Sequence, residues 1–280
     1  MRKKINLGGH LCTLEKPLIM GVLNITPDSF YSGSRLQSDN DIISRAAKML
    51  ESGADILDIG GYSSRPGAAD TDEKEEAERV TRALKLLRRE YPRAVLSLDT
   101  FRSGLADMAI GHYGVDMIND ISGGNLDEGM FSVIEKHNIP YVLMHMKGMP
   151  QTMHIDPVYD DIVAELLKWF SGKKRELVQR GVKDIIIDPG FGFGKTIRHN
   201  FILLNNLERF QILDLPLMAG LSRKSMVWKT LGITPEEGLN GTVVLNTVAL
   251  MKGASFLRVH DVAEAAEAVK LISSLKGSAL

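Results

Sequence analysis

The chain has 280 residues, 44% apolar and 25% charged, with a formal net charge of −1. That composition can bury a sizeable core, and the charge balance gives no field to attract nucleic acid or an acidic membrane surface. Cys12 is the only cysteine, which excludes an intrachain disulfide and argues against a thiolate metal cluster. No run approaches the roughly 18 apolar residues of a membrane span. The basic start Met1-Arg2-Lys3-Lys4 is not followed by the apolar stretch of a signal peptide, so a soluble cytoplasmic protein is expected.

Residues 5–14 alternate around Gly8-Gly9 and read as a small β-hairpin ahead of the main fold. The first buried strand is 18–23, ended by Asn24, and a turn-rich loop over 25–34 follows. Asp39 or Asn40 caps a helix to about Glu51, which Gly53 ends. Further strands are expected at 55–59, 95–100, 117–121, 141–145, 185–187, 217–221 and 255–259, each apolar and rich in β-branched residues or leucine. Helical patterns lie between them, among them a charged amphipathic helix over 73–91 and an apolar-faced final helix over 262–275. Strand-then-helix alternation predicts parallel strands joined by right-handed crossovers. Eight units is the count of a closed α/β barrel, so the expectation is a single (β/α)8 TIM barrel over residues 1–280 with a short N-terminal β-hairpin.

In such a barrel the functional site lies at the C-terminal ends of the strands. Those ends carry Asn24, Asp99, Asn119, His145, Asp188, the 222–224 segment, and Arg258 with His260, and the loop after the second strand carries Ser63, Ser64 and Arg65. Polar groups at the same end of so many apolar strands point to one convergent pocket. Each also has a plain structural use. Asp99 is equally suited to capping the helix after its strand, and Asn119 and Asp120 to forming a turn. Asp58 reads as a structural carboxylate facing a buried polar partner, and His145 as a structural histidine. Met146, Met149 and Met153 fit either a flexible apolar wall or plain core. Lys195 reads as a solvated charge and Arg223 as a surface or rim contact.

The stretch 185–196 invites a second reading, because it closes on Gly194-Lys195-Thr196. A phosphate-cradling loop needs a glycine where this chain has Pro189, which has no N–H and a fixed φ. The stretch is better read as a strand that delivers Asp188, followed by a glycine-rich loop.

Several segments, in order along the chain, resemble the signatures of the dihydropteroate synthases. They are residues 21–30, residues 58–67, Asp99-Thr100, Ile118-Asn119-Asp120, Leu143-Met144-His145-Met146, residues 188–195, Gly220-Leu221-Ser222-Arg223-Lys224-Ser225 and Arg258-Val259-His260-Asp261. The resemblance implies a Mg²⁺-using transferase of folate biosynthesis, the target of sulfonamides. Such enzymes join a dihydropterin pyrophosphate to para-aminobenzoate, releasing dihydropteroate and pyrophosphate. It implies Asp188, Asp99, Asn119 and Lys224 at the pterin edge, with Met144 and Phe193 near the ring. Asn24, Arg258 and His260 would bind the pyrophosphate, with Asn24 also on the metal. Ser225 would take the aminobenzoate carboxylate, and Ser64 and Arg65 would lie on a closing loop. The resemblance further implies a homodimer and an S_N1-like reaction through a pterin methyl cation. Three features depart from the usual signatures: Tyr62 stands for glutamate, Ser64 for threonine, and Tyr31-Ser32-Gly33-Ser34 omits a loop aspartate. A pterin-binding barrel without activity and a folate–corrinoid methyltransferase are the alternative readings.

Overall fold

The structure is a computed structural model that describes residues 3–26, 39–62, 72–153 and 155–277. Each predicted strand is present. The hairpin pairs β1 (Lys4–Leu7) with β2 (His10–Thr13), Ile5 opposite Cys12. Its turn glycines, Gly8 and Gly9, have φ of 57° and 79°, the left-handed conformation a two-residue hairpin turn requires.

Eight parallel strands follow: β3 (Leu18–Asn24), β4 (Ile56–Gly60), β5 (Leu96–Asp99), β6 (Met117–Asp120), β7 (Tyr141–Met144), β8 (Ile185–Asp188), β9 (Met218–Ala219) and β10 (Phe256–Val259). Their order is β8-β7-β6-β5-β4-β3-β10-β9. A parallel bridge between Ile187 and Leu217 joins the two outer strands, with the Ile187 amide donating to Pro216 O at 3.0 Å. Following the register from Asn24 through Gly60, Asp99, Asn119, Val142 and Ile186, and on through β9 and β10, leads back to the level of Lys16, below the start of β3. That stagger is the shear of an eight-stranded barrel. The seventh barrel strand is shorter than the expected 217–221. Pro216 has no amide to extend the ladder at one end, and Gly220 leaves it at the other.

Around the barrel lie α1 (Asp39–Glu51), α2 (Glu73–Glu90), α3 (Ser103–Tyr113), α4 (Met130–His137), α5 (Ile162–Gln179), α6 (Ile197–Asn205), α7 (Ser225–Leu231), α8 (Leu239–Met251) and α9 (Val262–Gly277). Helix α2 shows why a heavily charged segment folds as it does. Val80, Ala83, Leu84 and Leu87 recur at helical spacing and are all fully buried against the barrel. Each large side chain so buried contributes on the order of 1.5–3 kcal/mol. No helix among the described residues is long and apolar enough to cross a membrane.

Alternation along the strands sorts side chains into two faces. Leu57, Ile59, Leu98, Leu143, Ile187, Leu257 and Val259 join the core shared with the helices. Met20, Ile56, Met117, Val142, Ile186, Met218 and Phe256 pack together with Ile5 and Leu7 of β1, so the hairpin plugs the lower end of the barrel. Two residues further along the same strands stand Asp58, Asn119, Asp188 and Arg258. The apolar plug thus ends one step below a layer of charge.

Candidate active site

Arg258 organises one half of the polar layer. Its Nε donates to Asp58 Oδ2 at 2.7 Å and its Nη2 to Asp99 Oδ2 at 2.5 Å. Asn119 Nδ2 donates to the same Asp58 oxygen at 3.0 Å. Asp58 is therefore the buried structural carboxylate its apolar surroundings predicted, and Asn119 faces the site. Asp99 pairs with Arg258 and makes no cap for α3, whose N-cap is Arg102. Asp120 is the turn former. It accepts from Ser122 N and Oγ, both at 2.7 Å, from Gly124 N at 2.8 Å and from Tyr141 OH at 2.7 Å.

The charges in this half perturb one another. Burial pushes the Asp99 carboxyl up to about 7; the Arg258 charge opposes that, while Asp58, Glu76 and Asp120 add to it. Burial works against the Arg258 charge as well, but Asp58 and Asp99 outweigh it and raise its pKa.

The other half is built on Asp188, 3% exposed at the end of β8. Its Oδ1 accepts from the Gly190 amide at 2.7 Å. Burial raises its pKa, against the opposing pull of Lys224. Burial lowers the Lys224 ammonium to about 8, with Asp188 pulling the other way. Lys224 Nζ donates to Phe191 O and lies 4.8 Å from the Phe193 ring centroid. Beside this pair Met144, Met146, Met153 and Ile121 form a buried apolar cluster, with Phe101, Leu126 and Phe193 packed against it. Met149, by contrast, is exposed. A carboxylate, an ammonium and an apolar wall together suit a flat heterocycle with neighbouring donors.

Across the mouth, Asn24 ends β3 beside Gly60. A Cβ at Gly60 would sit 3.0 Å from Asn24 Oδ1, so glycine there keeps the amide in place. His260 is exposed beyond β10, its Nδ1 3.0 Å from Ser222 Oγ. Ser225 opens α7 directly after Lys224. Arg223, at φ 53°, is held on the rim by Asp261 through two contacts of 2.9 Å.

Of the expected site residues, Asp99, Asn119, Met144, Asp188, Phe193, Lys224 and Arg258 converge on the barrel mouth, and Asn24, Ser225 and His260 stand at its edge. Ser64, Arg65 and the 31–34 segment lie outside the described residues. Tyr62, at a position where the family signature has glutamate, packs edge-on against Phe101 at 5.2 Å, and its hydroxyl accepts from Gln151 Nε2 at 3.2 Å.

Two residues correct the sequence reading. Lys195 is 6% exposed, hence no solvated charge, and its amino group is taken up by partners of the chain itself. Glu76 was not anticipated. It is fully buried and accepts from Thr100 Oγ1 at 2.9 Å and Arg102 Nε at 2.8 Å. Its signal was present, because residue 76 falls on the same helical stripe as Val80, Ala83, Leu84 and Leu87. A Cβ at Gly61 would come within 2.8 Å of Val80 and 3.1 Å of Glu76, so that glycine lets α2 lie against the mouth.

A sequence model of the family described as pterin binding enzyme matches residues 20–260. The dihydropteroate synthase of Escherichia coli is 37% identical over 273 residues, 97% of this chain and 96% of that one. Among solved structures, the Yersinia pestis dihydropteroate synthase with a sulfonamide drug complex superposes with a TM-score of 0.91 at 36% identity, covering 99% of this chain and 100% of its own. The Xanthomonas albilineans enzyme with 4-aminobenzoic acid also gives 0.91, at 35% identity and 99% coverage of both chains. With full-length similarity in both sequence and structure, the chain belongs to the dihydropteroate synthases, pterin-binding transferases of folate biosynthesis.

Proposed function

We propose that the whole chain is one catalytic domain in which the polar layer at the barrel mouth condenses 6-hydroxymethyl-7,8-dihydropterin pyrophosphate with para-aminobenzoate. The observation that carries the assignment of roles is the set of buried Asp188 and Asn119 with half-buried Lys224 and Asp99 around an apolar wall. Asp188 accepts from the two neighbouring donors of the pterin edge, and Asn119 and Asp99 complete that edge. Lys224 donates to the ring carbonyl and ring nitrogen. Met144 and Phe193 flank the ring.

The bond between the pterin methylene carbon and the pyrophosphate oxygen breaks first, and its electron pair leaves with pyrophosphate. Asp99 and Asp188 stabilise the resulting cation electrostatically. The arylamine lone pair then forms the new carbon–nitrogen bond, and the nitrogen releases a proton. Arg258 uses two donors on Asp58 and Asp99 and has others left for the anion, which it binds with His260 and Asn24. Ser225 receives the aminobenzoate carboxylate. Ser64 and Arg65 belong to the loop that closes over the site and keeps water from the cation.

Mg²⁺ fits the residues present in one mode only. Among the described residues no three His, Cys, Asp or Glu side chains converge to cage a metal. The Asn24 amide would supply a single oxygen, with phosphate and water oxygens as the remaining ligands. When bound there, Mg²⁺ supplies positive charge to the leaving group.

We further assign the protein a homodimeric state, a cytoplasmic location and sensitivity to sulfonamides at the aminobenzoate site. The similarity to the Yersinia pestis structure with a sulfonamide drug supports the last of these. Purified protein incubated with Mg²⁺, the pterin pyrophosphate and para-aminobenzoate is expected to yield dihydropteroate and pyrophosphate in equal amounts. Pterin binding without product would leave a binding barrel, and methyl transfer from a reduced folate to a corrinoid protein would make it a methyltransferase.

A further inference from the structure

Lys195 takes no part in the site just described, yet it is among the best-satisfied polar groups in the barrel. Its Nζ lies 2.9 Å from Phe193 O, 3.1 Å from His145 O and 3.1 Å from His145 Nδ1. Burial lowers the pKa of this amine well below the usual lysine value, with Asp188 pulling the other way, and all three contacts are to groups of the chain itself. The His145 ring is itself fixed, edge-on to Trp169 at 5.0 Å and near Phe170 at 6.5 Å. Burial, reinforced by the Lys195 charge, holds His145 neutral with its pKa down at about 2, so Nδ1 can accept.

The two carbonyls that Lys195 joins belong to neighbouring segments of the barrel mouth. His145 directly follows Met144 at the end of β7, and Phe193 lies on the loop after β8. That loop is pressed flat against the β7 end. A Cβ on Gly190 (φ 69°) would lie 2.0 Å from His145 O, and one on Gly194 (φ 63°) would lie 2.2 Å from Lys147 O. From the slot side, Lys224 holds the same loop at Phe191 O and lies over the Phe193 ring. The loop is therefore strung between two lysine amino groups. Lys224 faces the slot, and Lys195 is buried behind the loop.

We propose that Lys195 is a positioning residue, which fixes the Phe193 ring as one wall of the slot by tying Phe193 O to His145. It sets affinity for the flat heterocycle without touching it and leaves the bond-breaking step alone. This rests on the reading of Asp188, Lys224 and Phe193 as the pterin slot.

The test is a double-mutant cycle on the full-length protein, with 6-hydroxymethylpterin titrated calorimetrically and turnover measured alongside. Lys195→Met is expected to weaken pterin binding at least tenfold and to raise KM for the pterin pyrophosphate by a similar factor. Its kcat is expected to stay within threefold of wild type. Phe193→Ala should weaken binding comparably, and the double variant should be no worse than the weaker single. A lysine that merely supports the fold would give losses that add, or a fall in kcat with KM unmoved; either result overturns the proposal, as does wild-type affinity in folded Lys195→Met. If Lys195→Met does not fold, His145→Phe removes one acceptor in its place. The same non-additivity with Phe193→Ala is then expected, and additive losses or wild-type affinity overturn the proposal. Asp188→Ala serves as the control: if it binds pterin like wild type, the slot reading itself fails and the proposal fails with it. If Asp188→Ala loses binding while Lys195→Met keeps it, only the positioning role fails.

Discussion

The lower and upper layers of the barrel interior are made by the same strands, two residues apart, and have opposite chemistry. Below, Met20, Ile56, Met117, Val142, Ile186, Met218 and Phe256 close on Ile5 and Leu7 with no titratable group among them. Above, Asp58, Asp99, Asp188, Lys224 and Arg258 crowd one mouth, and burial shifts the carboxyls of Asp99 and Asp188 and the ammonium of Lys224. The lower layer gains free energy on folding by removing apolar surface from water. The upper layer spends part of that gain holding charges out of water, already oriented for the ligand proposed above. Stability and function thus occupy adjacent layers of one scaffold.

The largest effect should come where the division breaks down. Arg258→Met leaves Asp58 and Asp99 buried without their shared cation, and an uncompensated buried charge costs about 3–5 kcal/mol. Denaturant unfolding should show that loss together with the loss of turnover. Adding Asp58→Asn and Asp99→Asn should restore most of the stability and none of the activity. Full stability in Arg258→Met alone would mean the two carboxylates do not depend on it.

Phe256→Ala tests the lower layer. It should cost about 3–5 kcal/mol, the usual range for a buried phenylalanine, with kcat/KM of the folded fraction kept within threefold. A selective loss of activity would mean the two layers are not separable. Asp188→Ala is the converse, with pterin affinity falling by roughly 100-fold, the scale of a lost hydrogen bond to a charged group. Its thermal midpoint should hold or rise, because a buried carboxylate with a raised pKa is removed; a marked drop would make Asp188 a structural residue.

The smallest effect is in pH. The Lys224 ammonium is lowered from 10.5 to about 8 by burial, so between those values the unfolded chain binds the proton and the folded chain does not. Stability from this group should therefore rise as pH climbs from about 8, while pterin affinity, which uses the charged form, should fall. Lys224→Met should flatten both trends. Parallel trends in stability and affinity would contradict the assignment.

Much of this was legible in the sequence, for reasons that particular residues show. Strand alternation and strand length are local, so Asp99, Asn119, Asp188 and Arg258 could be placed at one end of the barrel before any contact was known. Asp58 could be read as buried because its neighbours Ile56, Leu57 and Ile59 are apolar. Lys195 could not, because its burial depends on acceptors brought by His145, fifty residues earlier, and on how closely Gly190 and Gly194 let the loop approach. Glu76 was obscured by the acidic run around it, although its spacing matched the buried stripe. The ion pairs of Arg258 were equally hidden, since its partners lie on β4 and β5, far earlier in the chain.

The most direct test of the upper layer as a heterocycle site is a crystal structure of the protein with 6-hydroxymethylpterin. The pyrimidinone edge should lie within hydrogen-bond distance of Asp188, with Lys224 Nζ on the ring carbonyl side, the Phe193 ring beside it, and Lys195 still on Phe193 O and His145. A pterin bound elsewhere, or bound at the mouth with its donor edge turned away from Asp188, would contradict the account.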